Sequence, residues 1–512
     1  MKRINDWFRI KKYPHIGLPL VESDRLWVEK YVSNPANVAK HAFFPFIHRT
    51  MLTRKFRKEY DEFTDEITNE GLRKKSEKIR EIFYANHIDS NVFSYYTTKI
   101  GKIYEEELVR RNLSDFVTAY RNIPHPTKRR GMNNVDFAEE VFSFIRRQKT
   151  PVLVAITFDI KSFFDNLNHL RLKYAWASLL RLERLPPDHY NIFKAITKFS
   201  FIDIKSLFNV TKNDLIKYGK SGAIERVAVK DIENLRNQEI VAFCTTKELR
   251  SKIRPAGIIK ANKFIKNTDG TLSKSKREKG IPQGSPISSI LANLYLMDFD
   301  SKIAEAVKEC GGLYRRYSDD IVVVTPESSG ERLCNLVLTT IKEYDLEIQA
   351  SKTNSYKFQC SPQGYVCGKI LPNGNLNIGR RFTYLGFEFN GSFTYLKSSS
   401  LSSFYRRMKN SVKRGSFYAK FSNYEDGRGE IFRRRLFKKF SYLGARRKMQ
   451  WDFNEDEKKW KKSYRHEWGN YLTYANMAHF NMKNSKIRGQ VRNHWLILNH
   501  FIKKHEAVAK KI

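Results

Sequence analysis

Two adjacent carboxylates, Asp319 and Asp320, stand between Tyr314-Arg315-Arg316-Tyr317-Ser318 and the apolar run Ile321-Val322-Val323-Val324. The β-branched residues predict a short buried hairpin with the acids at its tip. Two carboxylates held there repel one another unless divalent cations neutralise them. An Asp-Asp pair in a polar turn is ordinarily only a solvated turn, so metal chemistry requires a further acid. One lies 160 residues upstream: Val152-Leu153-Val154-Ala155-Ile156-Thr157-Phe158 reads as a strand that ends in Asp159. Two-metal phosphoryl transfer needs carboxylates from separate elements to bridge ions roughly 3.5–4 Å apart, one activating the attacking 3′-hydroxyl and the other steadying the leaving pyrophosphate. Asp159 and Asp319 suit the bridging places and Asp320 the supporting one.

The elements that must position these acids follow from their surroundings. Lys279-Gly280-Ile281-Pro282-Gln283-Gly284-Ser285-Pro286-Ile287-Ser288-Ser289 is a loop punctuated by glycine and proline. It opens a helix whose apolar face carries Ile290, Leu291, Leu294 and Tyr295. Glycines there let the main chain approach a base pair or sugar, and Pro286, Ser288 and Ser289 suit a helix start. Read alone, the block is equally an ordinary loop-to-helix junction.

Together the three blocks resemble the palm of reverse transcriptases: Phe158-Asp159 to Asp165 is similar to the first catalytic motif, Gly280 to Asn293 to the second, and Tyr317 to Asp320 to the third. Gln349-Ala350-Ser351-Lys352-Thr353 is similar to the next motif, and Tyr384-Leu385-Gly386-Phe387 to the primer-grip hairpin. The resemblance implies an RNA-directed DNA polymerase using two Mg²⁺ ions, with Mn²⁺ as a substitute, held by Asp159, Asp319 and Asp320. It implies Lys352 as proton donor to pyrophosphate and Phe164 as the aromatic gate against a ribose 2′-hydroxyl. It also places Gln283 near the templating pair. Phe164 has a second meaning as a core residue beside Phe163. Ser318 departs from the small apolar residue or methionine often found there, which bears on fidelity or processivity more than on activity. His169 reads as a helix-start residue without a chemical role.

Upstream, Tyr120-Arg121 and Lys128-Arg129-Arg130-Gly131 to Ala138 resemble a fingers element of bacterial abortive-infection and defence-associated reverse transcriptases, as does Ala85-Asn86-His87-Ile88-Asp89-Ser90. A triphosphate wants donors on its side away from the metals, which makes Arg121 and Lys128 candidates for holding the incoming dNTP. The absence of a zinc-finger or His-Asn-His pattern near residue 512 argues against a group II intron protein with its full domain set, and retron enzymes are usually shorter.

Composition bounds the partners. Lys and Arg number 94 against 54 Asp and Glu, a formal net charge of +40, which calls for a polyanion, here an RNA template and a DNA product. Aromatic residues, 13% of the chain, supply core and stacking surfaces. No run of about 18 apolar residues occurs, and Met1-Lys2-Arg3 is not followed by an apolar stretch, so a soluble cytoplasmic protein is expected. The five cysteines are scattered without a CxxC pair, indicating neither disulfides nor zinc.

The expected fold is α+β, a right-hand polymerase with fingers, an antiparallel palm sheet and a helical thumb. Residues 1–115 read as a helical N-terminal extension, with charge-rich patterns such as Glu66 to Lys75. Residues 116–400 read as fingers and palm with a basic insertion at about 205–279, whose end from Ser251 to Gly280 looks like a flexible loop over the template. Residues 401–512 hold 28 basic against 9 acidic side chains and read as the thumb. Trp495, Leu496, Leu498 and Ile502, with Trp451, Trp460 and Trp468, would pack it, while Arg433-Arg434-Arg435 and Lys438-Lys439 would grip phosphates. The resemblance further implies anti-phage defence with a dedicated noncoding RNA as template. Untemplated or protein-primed synthesis and a non-catalytic RNA-binding or splicing role stand as alternatives, and homo-oligomers remain open.

Overall fold

The computed structural model describes residues 7–509, apart from 58–60, 62–67, 69–73, 129, 220, 263, 267–271, 275–276, 363, 422–427, 446–448, 455–458 and 467–468. Its centre is a six-stranded sheet in the order Leu313–Tyr317, Asp320–Pro326, Val152–Asp159, Asn354–Ser361, Gly364–Ile370 and Leu376–Asn377, antiparallel throughout. The near-continuous apolar runs of Asp320–Pro326 and Val152–Asp159 are explained by burial on both faces. Val154, Ile156, Phe158, Ile321 and Val323 enter one core with the helices Ser288–Tyr295, Met297–Glu309 and Glu327–Glu343. Leu153, Ala155, Val322 and Val324 alternate into a second core shared with helix Asn134–Arg147 and the C-terminal helices Ser398–Lys420 and His494–Ala509. Each such side chain contributes ~1.5–3 kcal/mol of burial, so the strand carrying Asp159 is fixed from both sides.

The N-terminal 115 residues are not the helical extension that their charge pattern suggests. Helices Arg25–Ser33 and His87–Arg110 are present, but Phe46–Arg57 and Lys74–Tyr84 form a long antiparallel hairpin. Lys74 and Lys75 open its second strand, while most of the Glu66 to Lys75 stretch lies outside the described residues. In an exposed ribbon both faces tolerate charge, so helical and strand periods are hard to tell apart.

The basic insertion is also folded. Leu215–Tyr218, Ile224–Val227 and Ile240–Cys244 join His15–Ile16 in a four-stranded sheet over a third core containing Leu207, Phe208, Leu215 and Phe243. Of the expected basic loop, Phe264–Lys266 and Leu272–Lys274 pair as a hairpin, and residues 267–271 and 275–276 lie outside the described part. Among the described residues of the C-terminal region, α-helices are interrupted by a hairpin, Met449–Asn454 with Lys459–His466. Leu498 and Ile502 are buried, but Leu496 is 69% exposed and does not pack. Trp495 is half-buried against Phe437 and Tyr442. The side chains of Trp451, Trp460 and Trp468 lie outside the described set. Among the described residues no helix is long and apolar enough to cross a membrane.

Candidate active site

The strand register brings the acids together. Asp320 is the direct partner of Asp159 across two antiparallel strands, and Tyr317 closes the hairpin opposite Asp320, leaving Ser318 and Asp319 as its two-residue turn. Ser318 sits in the left-handed region at φ 63°, a conformation that costs of order 1–3 kcal/mol outside glycine and persists only where the surroundings enforce it. Main-chain bonds lock neighbouring segments to the acids: Ile160 N–H donates to Asp319 O at 3.0 Å and Gln349 N–H to Asp159 O at 2.8 Å. Lys352 follows on a short 3₁₀ turn, and its Nζ donates to Asp159 Oδ1 at 2.6 Å.

Charge crowding is marked at Asp320. Desolvation, then the negative charges of Asp319 and Asp159, push its carboxyl up to about 6, against the opposing pull of Lys352 and Lys397. The side chain still reaches solvent, so the shift reflects a partly screened site. Three hard carboxylate donors crowded at one place suit hydrated divalent cations. Among the described residues no three acid, His or Cys side chains are already closed into a ligand cluster, and Lys352 stands as the counter-charge on Asp159. The donor set fits magnesium, with Lys352 giving way at Asp159.

Beneath the turn lies a buried support that sequence reading missed. Arg316 is fully buried, donating through Nε to Asp300 Oδ1 at 2.7 Å and through Nη2 to Asp300 Oδ2 at 2.6 Å. Burial works against the guanidinium charge, and Asp300 outweighs it, so the net shift is upward. Nη1 reaches Asn293 Oδ1 and Ser318 O, both at 3.2 Å, and Asn293 Nδ2 continues to Ala119 O at 2.9 Å. Tyr314 O–H also donates to Asp300 at 2.6 Å. One ion pair thus ties the hairpin that carries Asp319 and Asp320, the helix after the glycine loop and the Ala119 segment. Its signal was a charged residue alternating with Tyr314 toward the core, and an acid on the apolar face of Met297–Glu309.

The glycine loop closes over the Asp159 side. Ile281 N–H donates to Phe164 O at 2.9 Å, and Phe164 is half-buried against Phe163. Phe83 N–H donates to Gln283 O at 2.8 Å, which anchors Gln283 to the N-terminal hairpin. Gly284 is required there: at φ +115° any added Cβ would meet Phe83 O at 2.6 Å. His169 begins its helix as expected, and its Nε2 bonds Gly280 O at 2.7 Å, giving it a structural task. Tyr384 and Phe387 flank a tight turn in which Leu385 and Gly386 both have positive φ, the geometry of a type I′ hairpin.

The two candidates for holding the incoming dNTP have protein partners in this structure. Arg121 is committed to Glu105 through Nε and Nη2, at 2.8 and 2.6 Å, and to the carbonyls of Ser114 and Val117 through Nη1. Left-handed Tyr120 precedes it, and the guanidinium closes its own turn. Lys128 Nζ bonds Asn481 of the C-terminal region. Tyr120, not singled out from sequence, places its hydroxyl 3.1 Å from Ser318 Oγ.

Residues 180–389 match the reverse transcriptase (RNA-dependent DNA polymerase) family. That stretch is a reverse transcriptase domain. The family is that of RNA-dependent DNA polymerases, and the α+β fold is that of a right-hand polymerase. The match contains Asp319, Asp320 and Lys352, whereas Asp159 lies upstream and joins them through the sheet. Similar solved structures include apo telomerase from Candida tropicalis, at 13% identity and a TM-score of 0.35, covering 96% of this chain and 64% of that one. Telomerase from Candida albicans with a TWJ fragment of telomeric RNA aligns at 14% identity and 0.34, covering 94% and 65%. The chain spans less than two thirds of the length of either telomerase.

Proposed function

We propose that the chain copies RNA into DNA by adding deoxynucleotides to a primer 3′ end, with Asp159, Asp319 and Asp320 holding two Mg²⁺ ions. The observation that carries this is the pairing of Asp159 with Asp320 on adjacent strands, with Asp319 in the turn, beside a domain of the reverse transcriptase family. Bound there, the ions supply activation of the 3′-hydroxyl and charge stabilisation on the departing pyrophosphate. Lys352 Nζ, 2.6 Å from Asp159 Oδ1, lies within reach of the same site and would donate a proton to a pyrophosphate oxygen. Phe164 packs beneath the glycine loop and would exclude a 2′-hydroxyl. Gln283, fixed by Phe83, lies along the loop that meets the templating pair. Arg316 positions the acids without touching substrate.

The resemblance of Tyr120 to Ala138 and of Ala85 to Ser90 to bacterial defence enzymes supports an anti-phage role in the cytoplasm, with a dedicated noncoding RNA as template. The test is to purify the wild type and an Asp319→Ala/Asp320→Ala variant from their native locus and sequence the nucleic acids bound to each. Complementary DNA mapping to a bound RNA, present with the wild type alone, is the expected result. Homopolymeric DNA would replace templated synthesis with untemplated synthesis, and RNA without DNA from both proteins would leave a binding protein.

A further inference from the structure

Away from the carboxylates, two adjoining cavities of about 610 and 280 Å³ share Phe43, Phe44 and Ser200 as common walls. They lie where the segment before strand Phe46–Arg57 meets the folded insertion. Lys247, Arg250 and Arg254 line the larger cavity and Lys194 and Lys198 the smaller, and among the described residues no acid lines either one. All five cations are exposed. None is ion-paired with a described acid, in contrast to Lys252, which binds Asp214 at 3.1 Å from the same turn. That turn, Leu249–Ile253, is a π-helix, a wide geometry that recurs at functional sites. Phe43 and Phe44 are half-buried, leaving ring surface in the groove between the cations.

We propose that this groove is a second nucleic-acid contact, which takes the phosphodiester backbone of a single-stranded RNA along its five cations while Phe43 and Phe44 meet unpaired bases. Exposed cations without an ion pair to a described acid, half-buried aromatic rings beside them and volumes in the range of ligand clefts match the recognition of single strands by charge and stacking. The insertion supplies three of the five cations, so the contact is built by the part of the chain between Asp159 and the glycine loop. The choice of RNA over other polyanions rests on the polymerase assignment above.

The experiment measures binding of a fluorescently labelled single-stranded RNA of about 20 nucleotides over a salt series. It compares the wild type with a Lys247→Glu/Arg250→Glu/Arg254→Glu variant whose melting temperature is checked. Loss of three phosphate contacts should weaken binding at least tenfold and flatten the salt dependence by roughly 2 in log–log slope. Crosslinking of 4-thiouridine RNA to the wild type, read by mass spectrometry, should mark the peptide containing Phe43 and Phe44, which keeps the test decisive if the variant misfolds. Unchanged affinity and slope, no crosslink at that peptide, or weakened binding of an acidic peptide alone would overturn the groove assignment. Primer extension by the wild type tests the polymerase assignment separately: extension with a failed groove sinks only the groove, whereas RNA held in the groove without extension sinks only the polymerase.

Discussion

Asp300→Asn should damage the site from beneath. The substitution leaves the fully buried guanidinium of Arg316 without its counter-charge and weakens two short charge-assisted bonds, at 2.7 and 2.6 Å. Removing one partner of a buried pair typically costs about 3–5 kcal/mol. At 1.4 kcal/mol per factor of ten, the strands Leu313–Tyr317 and Asp320–Pro326 should open locally about two to three and a half orders of magnitude more often. Hydrogen exchange of the Val322–Val324 amides, followed by mass spectrometry, reads this opening directly. A second variant separates stability from positioning. Arg316→Met/Asp300→Leu/Tyr314→Phe replaces the whole cluster with apolar groups, a change that in comparable buried pairs is neutral or stabilising. Exchange protection should return to within ~1–2 kcal/mol of wild type. Polymerase activity should stay low, because Ser318 O and Asn293 Oδ1 have lost their common donor. Wild-type exchange rates in Asp300→Asn, or full activity in the apolar variant, would refute the positioning role of the ion pair.

Four further outcomes follow from the same geometry. Lys352→Met should bind Mg²⁺ more tightly by calorimetry, since the ammonium no longer competes for Asp159, while turnover falls about 10²-fold or more through loss of the proton donor; unaltered metal affinity would show that the 2.6 Å contact is incidental. Phe164→Ala should admit ribonucleotides, measured as the ratio of kcat/KM for ribo- over deoxynucleotides, and an unchanged ratio would make Phe164 a core residue only. Gly284→Ala should strain the loop by about 1–3 kcal/mol and raise KM for the nucleotide, with faster exchange at the Phe83 amide. The N-terminal core should be acid-labile: burial, then His87, lowers His15 to about 3, and burial, then Lys11, lowers His87 to about 4. The unfolded chain, with histidines near 6.5, takes up protons that the folded chain refuses, so stability present above that pH is lost as pH falls toward 4. At pH 5 the two together remove up to about 4 kcal/mol, and His87→Phe should flatten the fall in a melting series.

How far the site could be read from the chain depended on whether a residue's task was local. Asp159 and Asp320 end strands whose apolar runs are visible residue by residue, so their convergence required only that those strands pair. Gly284 announced a close approach of backbone, but not that Phe83, two hundred residues earlier, would supply it. The N-terminal hairpin was misread because its exposed strands carry charge on both faces and erase the period of two. The partners of Arg121 and Lys128 were illegible for a related reason: a basic side chain looks alike whether its partner is a phosphate, a glutamate or a carbonyl, and Glu105 and Asn481 are partners that only the tertiary structure brings near. Arg316 is the informative opposite. A guanidinium at a core-facing strand position must find a buried acid or abandon the fold, and the acid on the apolar face of Met297–Glu309 answers that requirement. The charges that a sequence identifies most securely are therefore those it buries. On the surface, where +40 of net charge is spread, assignment begins with the neighbours that each cation lacks.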